Sequence, residues 1–136
     1  MSGVLVDSNI ILDLVTDDPN WGDWSEGMLR RYSETGPLFI NDVIYAEISI
    51  GFWRIEELDE MLSCGNFAHL PMPREALFLA GKVFLDYRRS GGTRTSPLPD
   101  FFIGAHAAVS GYPLLTRDRA RYRTYFPTLA LIAPTH

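Results

Sequence analysis

Gly3-Val4-Leu5-Val6-Asp7-Ser8-Asn9-Ile10-Ile11-Leu12-Asp13-Leu14 is the stretch from which the rest of the chain can be read. Val4-Leu5-Val6 is a short β-branched and aliphatic run with the character of a buried strand, and it stops at Asp7-Ser8-Asn9. Ile10, Ile11 and Leu14 then resume at helical spacing. Open α/β sheets bind ligands in the crevice at the carboxyl ends of their strands, and Asp7 stands at such an end. The remainder of the chain reads as bringing three more carboxylates to Asp7.

Downstream, strand and helix signals alternate. Thr16-Asp17-Asp18-Pro19-Asn20 is a turn-rich break. Trp21, Trp24, Met28 and Tyr32 follow at spacings of three and four, which predicts an amphipathic helix ended at Gly36-Pro37. Aromatic packing on a core face accounts for them, and a partner surface is a further use for Trp21. Leu38-Phe39-Ile40 is a second strand, and Asn41-Asp42 supplies the N-cap of a helix whose apolar stripe is Ile44, Ile48, Gly51 and Phe52. Glu47 borders that stripe, three residues from Ile44 and four from Gly51. Ile55 to Leu62 reads as a helix with a solvated acidic face. Phe67 to Leu70 reads as an edge strand with a structural His69. Pro73 to Tyr87 reads as a long helix with Leu77, Ala80, Gly81 and Phe84 toward the core.

Ser90 to Pro97 reads as a mobile loop beside the site. The helix from Pro97 to Val109 is apolar almost all round and so is expected to be buried, with His106 a satisfied core histidine. Asp100 lies in its first turn, where the helix dipole favours a carboxylate, so capping alone would account for it. Pro113-Leu114-Leu115-Thr116 is a third strand, and Asp118 leaves it as Asp7 leaves the first. Leu129 to Ile132 is the last. This alternation predicts an α/β fold with a mainly parallel sheet, in one domain spanning 1–136.

The totals constrain function. With 136 residues, 46% hydrophobic and 21% charged, the chain is of ordinary globular composition. It has no apolar run near the ~20 residues of a membrane helix. No signal peptide is evident, and the single cysteine, Cys64, cannot form an internal disulfide; a cytoplasmic location is expected. The net charge of −5 argues at first against a nucleic-acid partner, but its distribution does not. Residues 1–68 carry 13 acids against Arg30, Arg31 and Arg54, whereas residues 69–136 carry four acids against Lys82 and eight arginines. That asymmetry suits a carboxylate metal site beside a phosphate-binding rim, and an uneven solvated surface would also produce it.

Asp7, Asp100 and Asp118 sit at element junctions and Glu47 borders a buried stripe. Collected within a few ångströms, such acids would repel one another by several kcal/mol per pair at an effective dielectric of ~20, and they must hold either protons or a cation. All-oxygen ligands select Mg²⁺ or Mn²⁺, which suits phosphoryl chemistry. No zinc spacing, Gly-rich phosphate loop or Gly-x-Ser-x-Gly elbow is present. A haloacid-dehalogenase-type phosphotransferase would want an Asp where Asn9 stands. A response-regulator receiver would want a lysine after its last strand, and Lys82 is the only lysine.

Taken together, Val4-Leu5-Val6-Asp7-Ser8-Asn9, Tyr45-Ala46-Glu47, Pro99-Asp100-Phe101-Phe102-Ile103-Gly104-Ala105-His106-Ala107, Thr116-Arg117-Asp118 and Tyr122-Arg123-Thr124-Tyr125-Phe126-Pro127 resemble a PIN-domain ribonuclease. More narrowly, they resemble the VapC toxin of a bacterial VapBC toxin–antitoxin pair. Four motifs in order, from the first strand to the last, carry the resemblance. It implies a PIN-like three-layer α/β/α fold with a mainly parallel central sheet. It implies an Mg²⁺- or Mn²⁺-dependent endoribonuclease that hydrolyses RNA phosphodiesters with metal-activated water, leaving a 5′-phosphate and a 3′-hydroxyl. Homodimers are implied, as are heterotetramers or larger assemblies with a VapB-type antitoxin. By the same resemblance Asp7, Glu47, Asp100 and Asp118 are the metal-binding, catalytic acids, and Asn9 and Thr116 support them. Some members carry a further acid after the last; here Arg119 and Ala120 follow Asp118. Arg94, Arg117, Arg119, Arg121 and Arg123 are candidates for RNA backbone contact, with Arg117 foremost because it adjoins Asp118. Two alternatives remain: a PIN-fold RNA-processing nuclease outside any toxin pair, and a non-catalytic module that binds RNA or antitoxin.

Overall fold

The computed structural model describes residues 3–95 and 98–135. In chain order these form β1 (Val4–Val6), α1 (Ser8–Val15), α2 (Gly22–Ser33), β2 (Leu38–Ile40), α3 (Asp42–Ile48), α4 (Ile55–Cys64), β3 (Phe67–His69), α5 (Arg74–Arg89), α6 (Pro99–Ser110), β4 (Leu114–Leu115), α7 (Arg119–Tyr125) and β5 (Leu131–Ile132). The strands make one sheet in the order β3-β2-β1-β4-β5, and every pairing is parallel. Helices flank it, so the expected three-layer α/β/α arrangement is what the chain adopts. Among the described residues, no helix is long and apolar enough to cross a membrane.

β1 is central because all three of its residues are apolar and all three are buried. A strand buried on both faces has no polar side to alternate with, as is usual in parallel sheets. β3 and β5 lie at the two edges and are only partly buried. Their shortness limits the unpaired backbone that an edge exposes. β3, β4 and β5 each run a residue or two shorter than the apolar runs in the sequence suggest.

Leu5, Val6, Ile10, Ile40, Ile44, Ile103, Leu114 and Leu115 are wholly inaccessible and form the core between sheet and helices. Burying each aliphatic side chain of this size contributes about 1.5–3 kcal/mol, so the stability of the fold resides in the three inner strands and the helices on them. α6 is the most buried helix. A Cβ at Gly104 would stand 2.4 Å from the Phe126 ring, so only glycine lets the segment after α7 close onto it. The helix ends at Gly111, whose φ of 74° places it in the left-handed region that caps helices.

Two expectations need correction. α5 buries Ala76, Ala80 and Val83, while Leu77 is 46% exposed and Gly81 has open space around it. The helix carries Leu77, Phe78 and Leu85 on its outer side, so two stripes one residue apart both look apolar in the sequence. α3 stops at Ile48 and gives way to a 3₁₀ turn at Ser49–Gly51, so Gly51 and Phe52 are not on its stripe. α6 starts at Pro99, a position where the missing proline N–H costs no hydrogen bond. The expectations for Ser96 and Pro97 lie outside the described residues.

Candidate active site

The sheet order places the site. The chain builds outward from β1 through β2 to β3, then crosses to β4 and β5 on the other side. The β1–β4 boundary is therefore the topological switch point, where crevices open at the strand ends. Val6 is in register with Leu115, which sets Asp7 beside Thr116. Asp7 precedes α1 and Asp118 precedes α7 as N-cap residues, so both carboxylates stand between a strand end and a positive helix end.

Asp7 is 3% exposed. Its Oδ2 accepts hydrogen bonds from Thr116 Oγ1 at 2.8 Å and Tyr122 Oη at 3.0 Å. Thr116 Oγ1 in turn accepts from the Asp118 N–H at 3.1 Å and from Asn9 Nδ2 at 3.4 Å. One donation and two acceptances use the full capacity of a hydroxyl, so Thr116 fixes Asp7, Asn9 and Asp118 relative to one another. Ser8 Oγ has one proton and two acceptors; it donates to Glu47 Oε1 at 2.5 Å, with Asp7 Oδ1 further off at 3.4 Å. Glu47 is thereby tied to the β1–α1 junction from α3.

Asp100 lies in the first turn of α6, behind the N-cap Leu98. Its carboxylate faces α7. Oδ2 lies 3.0 Å from Arg121 Nη1, and Oδ1 lies 3.4 Å from Tyr122 Oη. Arg121 Nε is also 3.0 Å from Asp118 Oδ2, so one guanidinium spans the two carboxylates. Asp118 Oδ1 accepts the Arg121 N–H at 3.3 Å as the cap of α7.

These groups share one electrostatic neighbourhood. Burial raises the Asp7 carboxyl to about 6; hydrogen bonds from Thr116 and Tyr122 oppose the rise, while the charges of Asp100 and Glu47 add to it. Asp100 is also raised, first by burial and then by Asp118, against the pull of Arg121 and the hydrogen bond of Tyr122. Tyr122, wholly buried between Asp7 and Asp100, is pushed well above its ordinary value by burial and by those charges. Burial works against the Arg121 charge, but Asp100 and Asp118 outweigh it and hold the group above the ordinary arginine value. Among the described residues, no three carboxylate, imidazole or thiol groups converge tightly enough to cage an ion. The Arg121 guanidinium and the Tyr122 phenol lie between the acids. The four acids nonetheless offer only anionic oxygen, and a neutral buried oxygen, Asn9 Oδ1, has no hydrogen-bond partner among the described residues. The oxygen chemistry of Asp7, Glu47, Asp100 and Asp118 would suit a hard divalent cation rather than a soft one, while their positions here do not close on a single point.

Arg117, Arg119 and Arg123 each contact other parts of the chain. Arg117 is held by Asp13, which is buried and also accepts from Ser25 Oγ at 2.7 Å. Arg117 Nε is 3.0 Å from Asp13 Oδ2 but off the line of a hydrogen bond, so the contact is ionic. The guanidinium also stacks over the Trp21 ring at 5.6 Å. Trp21 packs edge-on against Trp24 and is half-buried. Arg119 donates to the Ala133 carbonyl, and Arg123 to those of Pro127 and Leu129. Arg94 lines a cleft of about 410 Å³ with Glu47, Asp100, Arg121, Tyr87 and Tyr125, which places the loop before α6 at the mouth of the acid cluster.

His106 is buried, with Nδ1 3.0 Å from Asn41 Nδ2, and its burial lowers its pKa. Asn41 Oδ1 caps α3 by accepting the Ile44 N–H, so His106 steadies the helix that carries Glu47. His69 pairs with the exposed Asp42 at 2.6 Å. Sequence reasoning assigned no role to Ser8, Asp13, Ser25 or Tyr122. For Tyr122 a signal existed: it lies four residues after Asp118, one helical turn on.

Three comparisons place the chain. The family model described as PIN domain matches residues 4–127. A comparison with curated proteins finds no match. Among solved structures, the chain is similar to one in VapBC2 from Rickettsia felis, bound to a DNA fragment from its promoter, at 18% identity and a TM-score of 0.74. That match covers 97% of this chain and 98% of the other. VapBC-1 from nontypeable Haemophilus influenzae matches at 16% identity and 0.71, covering 96% and 97%. FitAcB from Neisseria gonorrhoeae matches at 19% and 0.63, covering 98% and 99%.

Proposed function

Because the chain belongs to the PIN-domain family, whose members are generally nucleases, we propose that it is a metal-dependent endoribonuclease. We propose further that it acts as the toxin of a VapBC-type pair, is blocked by a VapB-type antitoxin, and forms its single PIN unit from residues 1–136. The observation that carries the nuclease reading is that Asp7, Glu47, Asp100 and Asp118 lie within electrostatic reach of one another beside the switch point of the sheet. Near-complete coverage by chains of toxin–antitoxin complexes supports the toxin reading.

Asp7 and Asp100 would be the central ligands of Mg²⁺ or Mn²⁺, with Asp118 and Glu47 beside them. Such an ion supplies Lewis acidity toward phosphoryl oxygens and makes a water nucleophilic near neutral pH. The chain's own residues do the positioning. Thr116 and Tyr122 both donate to Asp7 Oδ2, which leaves Oδ1, with Ser8 Oγ 3.4 Å away, as its less engaged oxygen. Ser8 holds Glu47 at the same edge, and Asn9 steadies Thr116. The cleft beside Asp100 is large enough for one nucleotide, and Arg94 offers its charge there to a phosphate. Arg117, being engaged with Asp13, acts in this reading through the loop it anchors rather than by touching RNA.

Cleavage of structured RNA by antitoxin-free protein, with Mg²⁺, with Mn²⁺ and with EDTA, tests the reading, with Asp100→Asn as control. Metal-dependent cuts absent from the variant are expected. Equal cutting by the two proteins, or none by either across several RNAs, would refute it in favour of a non-catalytic binding module.

A further inference from the structure

The basic group nearest the acids is the chain's own. Arg121 places Nη1 3.0 Å from Asp100 Oδ2 and Nε 3.0 Å from Asp118 Oδ2, so each carboxylate gives up one oxygen to it. These are two of the four acids that the metal reading requires, and this inference rests on that reading. The side chain of Arg121 is 54% exposed, so it is free to leave. Its anchor is α7, whose N-cap is Asp118 itself, so the guanidinium is delivered to the acids by the same turn that presents one of them.

We propose that Arg121 is a built-in counter-cation of the metal-free site, and that a divalent ion must displace its guanidinium to engage Asp100 and Asp118.

The geometry sets the two states against each other. Mg²⁺ sits about 2.1 Å from its oxygen ligands. A guanidinium nitrogen held 3.0 Å from an oxygen that also ligated the ion would lie close to a doubly charged centre, with only the shared carboxylate between them. In the metal-free protein the arrangement has the opposite effect. It offsets the mutual repulsion of Asp100 and Asp118, and the bidentate fork of arginine suits that task better than the point charge of lysine. An ion therefore meets a partly occupied site, and its apparent affinity is reduced by the fraction of molecules in which the fork is closed. A fork closed in roughly nine molecules of ten weakens apparent binding about tenfold.

Mn²⁺ binding to the whole protein, measured by titration calorimetry without RNA, tests this. Thermal melts in EDTA and in Mn²⁺ run alongside. Arg121→Gln should tighten Mn²⁺ binding about tenfold, lower the melting temperature in EDTA, and enlarge the rise that Mn²⁺ brings. Arg121→Lys should fall between, and it serves in place of the glutamine variant if that one does not fold. Arg119→Gln removes the same unit charge from the same helix without touching the acids, and sets the effect of net charge alone. Wild-type binding that Arg121→Gln leaves unchanged, weakens, or tightens no more than Arg119→Gln does would overturn the inference while the metal reading stands. If neither wild type nor variant binds Mn²⁺, the metal reading falls and the inference with it.

Discussion

Replacing Asp7 by asparagine should stabilise the metal-free protein while abolishing its activity. The carboxyl is almost wholly inaccessible and its pKa is raised from 3.8 to about 6. Below about pH 4 the acid is protonated in the folded and the unfolded chain alike, and costs nothing. Between about 4 and 6 the folded chain holds a proton that the unfolded chain has released, so stability falls as pH rises through that window. Above about 6 the folded chain carries a buried charge. A rise of about two units, at 1.36 kcal/mol each, makes that cost about 3 kcal/mol. Asparagine is neutral throughout, and its Oδ1 accepts the same hydroxyl donors. Asp7→Asn should therefore match wild type near pH 4 and exceed it by about 3 kcal/mol at pH 7.5 in EDTA, a rise in melting temperature of about 10 °C for a chain of this size. Saturating Mg²⁺ should narrow or reverse the gap, because only the wild type keeps the full set of ligand charges. Urea and thermal melts at the two pH values, with and without metal, read all four quantities. If the variant is no more stable than wild type at pH 7.5 in EDTA, Asp7 is not held at a cost and the reasoning fails.

Tyr122→Phe keeps the ring and removes one donor from Asp7 Oδ2, so it should weaken Mn²⁺ affinity by about 10- to 100-fold while leaving far-ultraviolet circular dichroism unchanged; calorimetry reads it, and unaltered affinity would show the hydroxyl to be mere filling. Arg117→Ala strands the buried Asp13 carboxylate with Ser25 as its remaining side-chain donor and should cost about 2–3 kcal/mol in urea melts, less than a fully buried pair because Arg117 is one-third exposed, while the double change with Asp13→Asn should recover most of it.

The sequence revealed most where one physical signal governs a residue. A strand such as Val4-Leu5-Val6, apolar throughout, has only the middle of a sheet to occupy. Asn41 before a helix has one obvious use, and its side chain accepts the Ile44 N–H as a cap should. Where two signals compete, the sequence was ambiguous. α5 is apolar on both sides, so its buried face could not be separated from the adjacent one until α6 was in place. The arginines illustrate a second limit. Adjacency to Asp118 singled out Arg117, but its ion pair with Asp13, 104 residues away in sequence, follows from no spacing rule. Tyr122 was overlooked because a tyrosine in a short amphipathic helix is ordinarily core. Its ring does fill the core, and only its hydroxyl reaches the acids.

The order of strands across the sheet also dictates when the acids can meet during synthesis. β1, β2 and β3 are all contained in the first 69 residues and can pair as they emerge, but the other edge of β1 stays open until Leu114 and Leu115 arrive. The bonds that orient Asp7 come from Thr116 and Tyr122, 109 and 115 residues later. A nascent chain thus carries Asp7 on a half-built sheet, without the Thr116 and Tyr122 hydroxyls, until β4 and α7 have been made. Contacts this far apart in sequence close late and slowly. The surroundings of Asp7 are therefore completed only once β4 and α7 have joined the sheet.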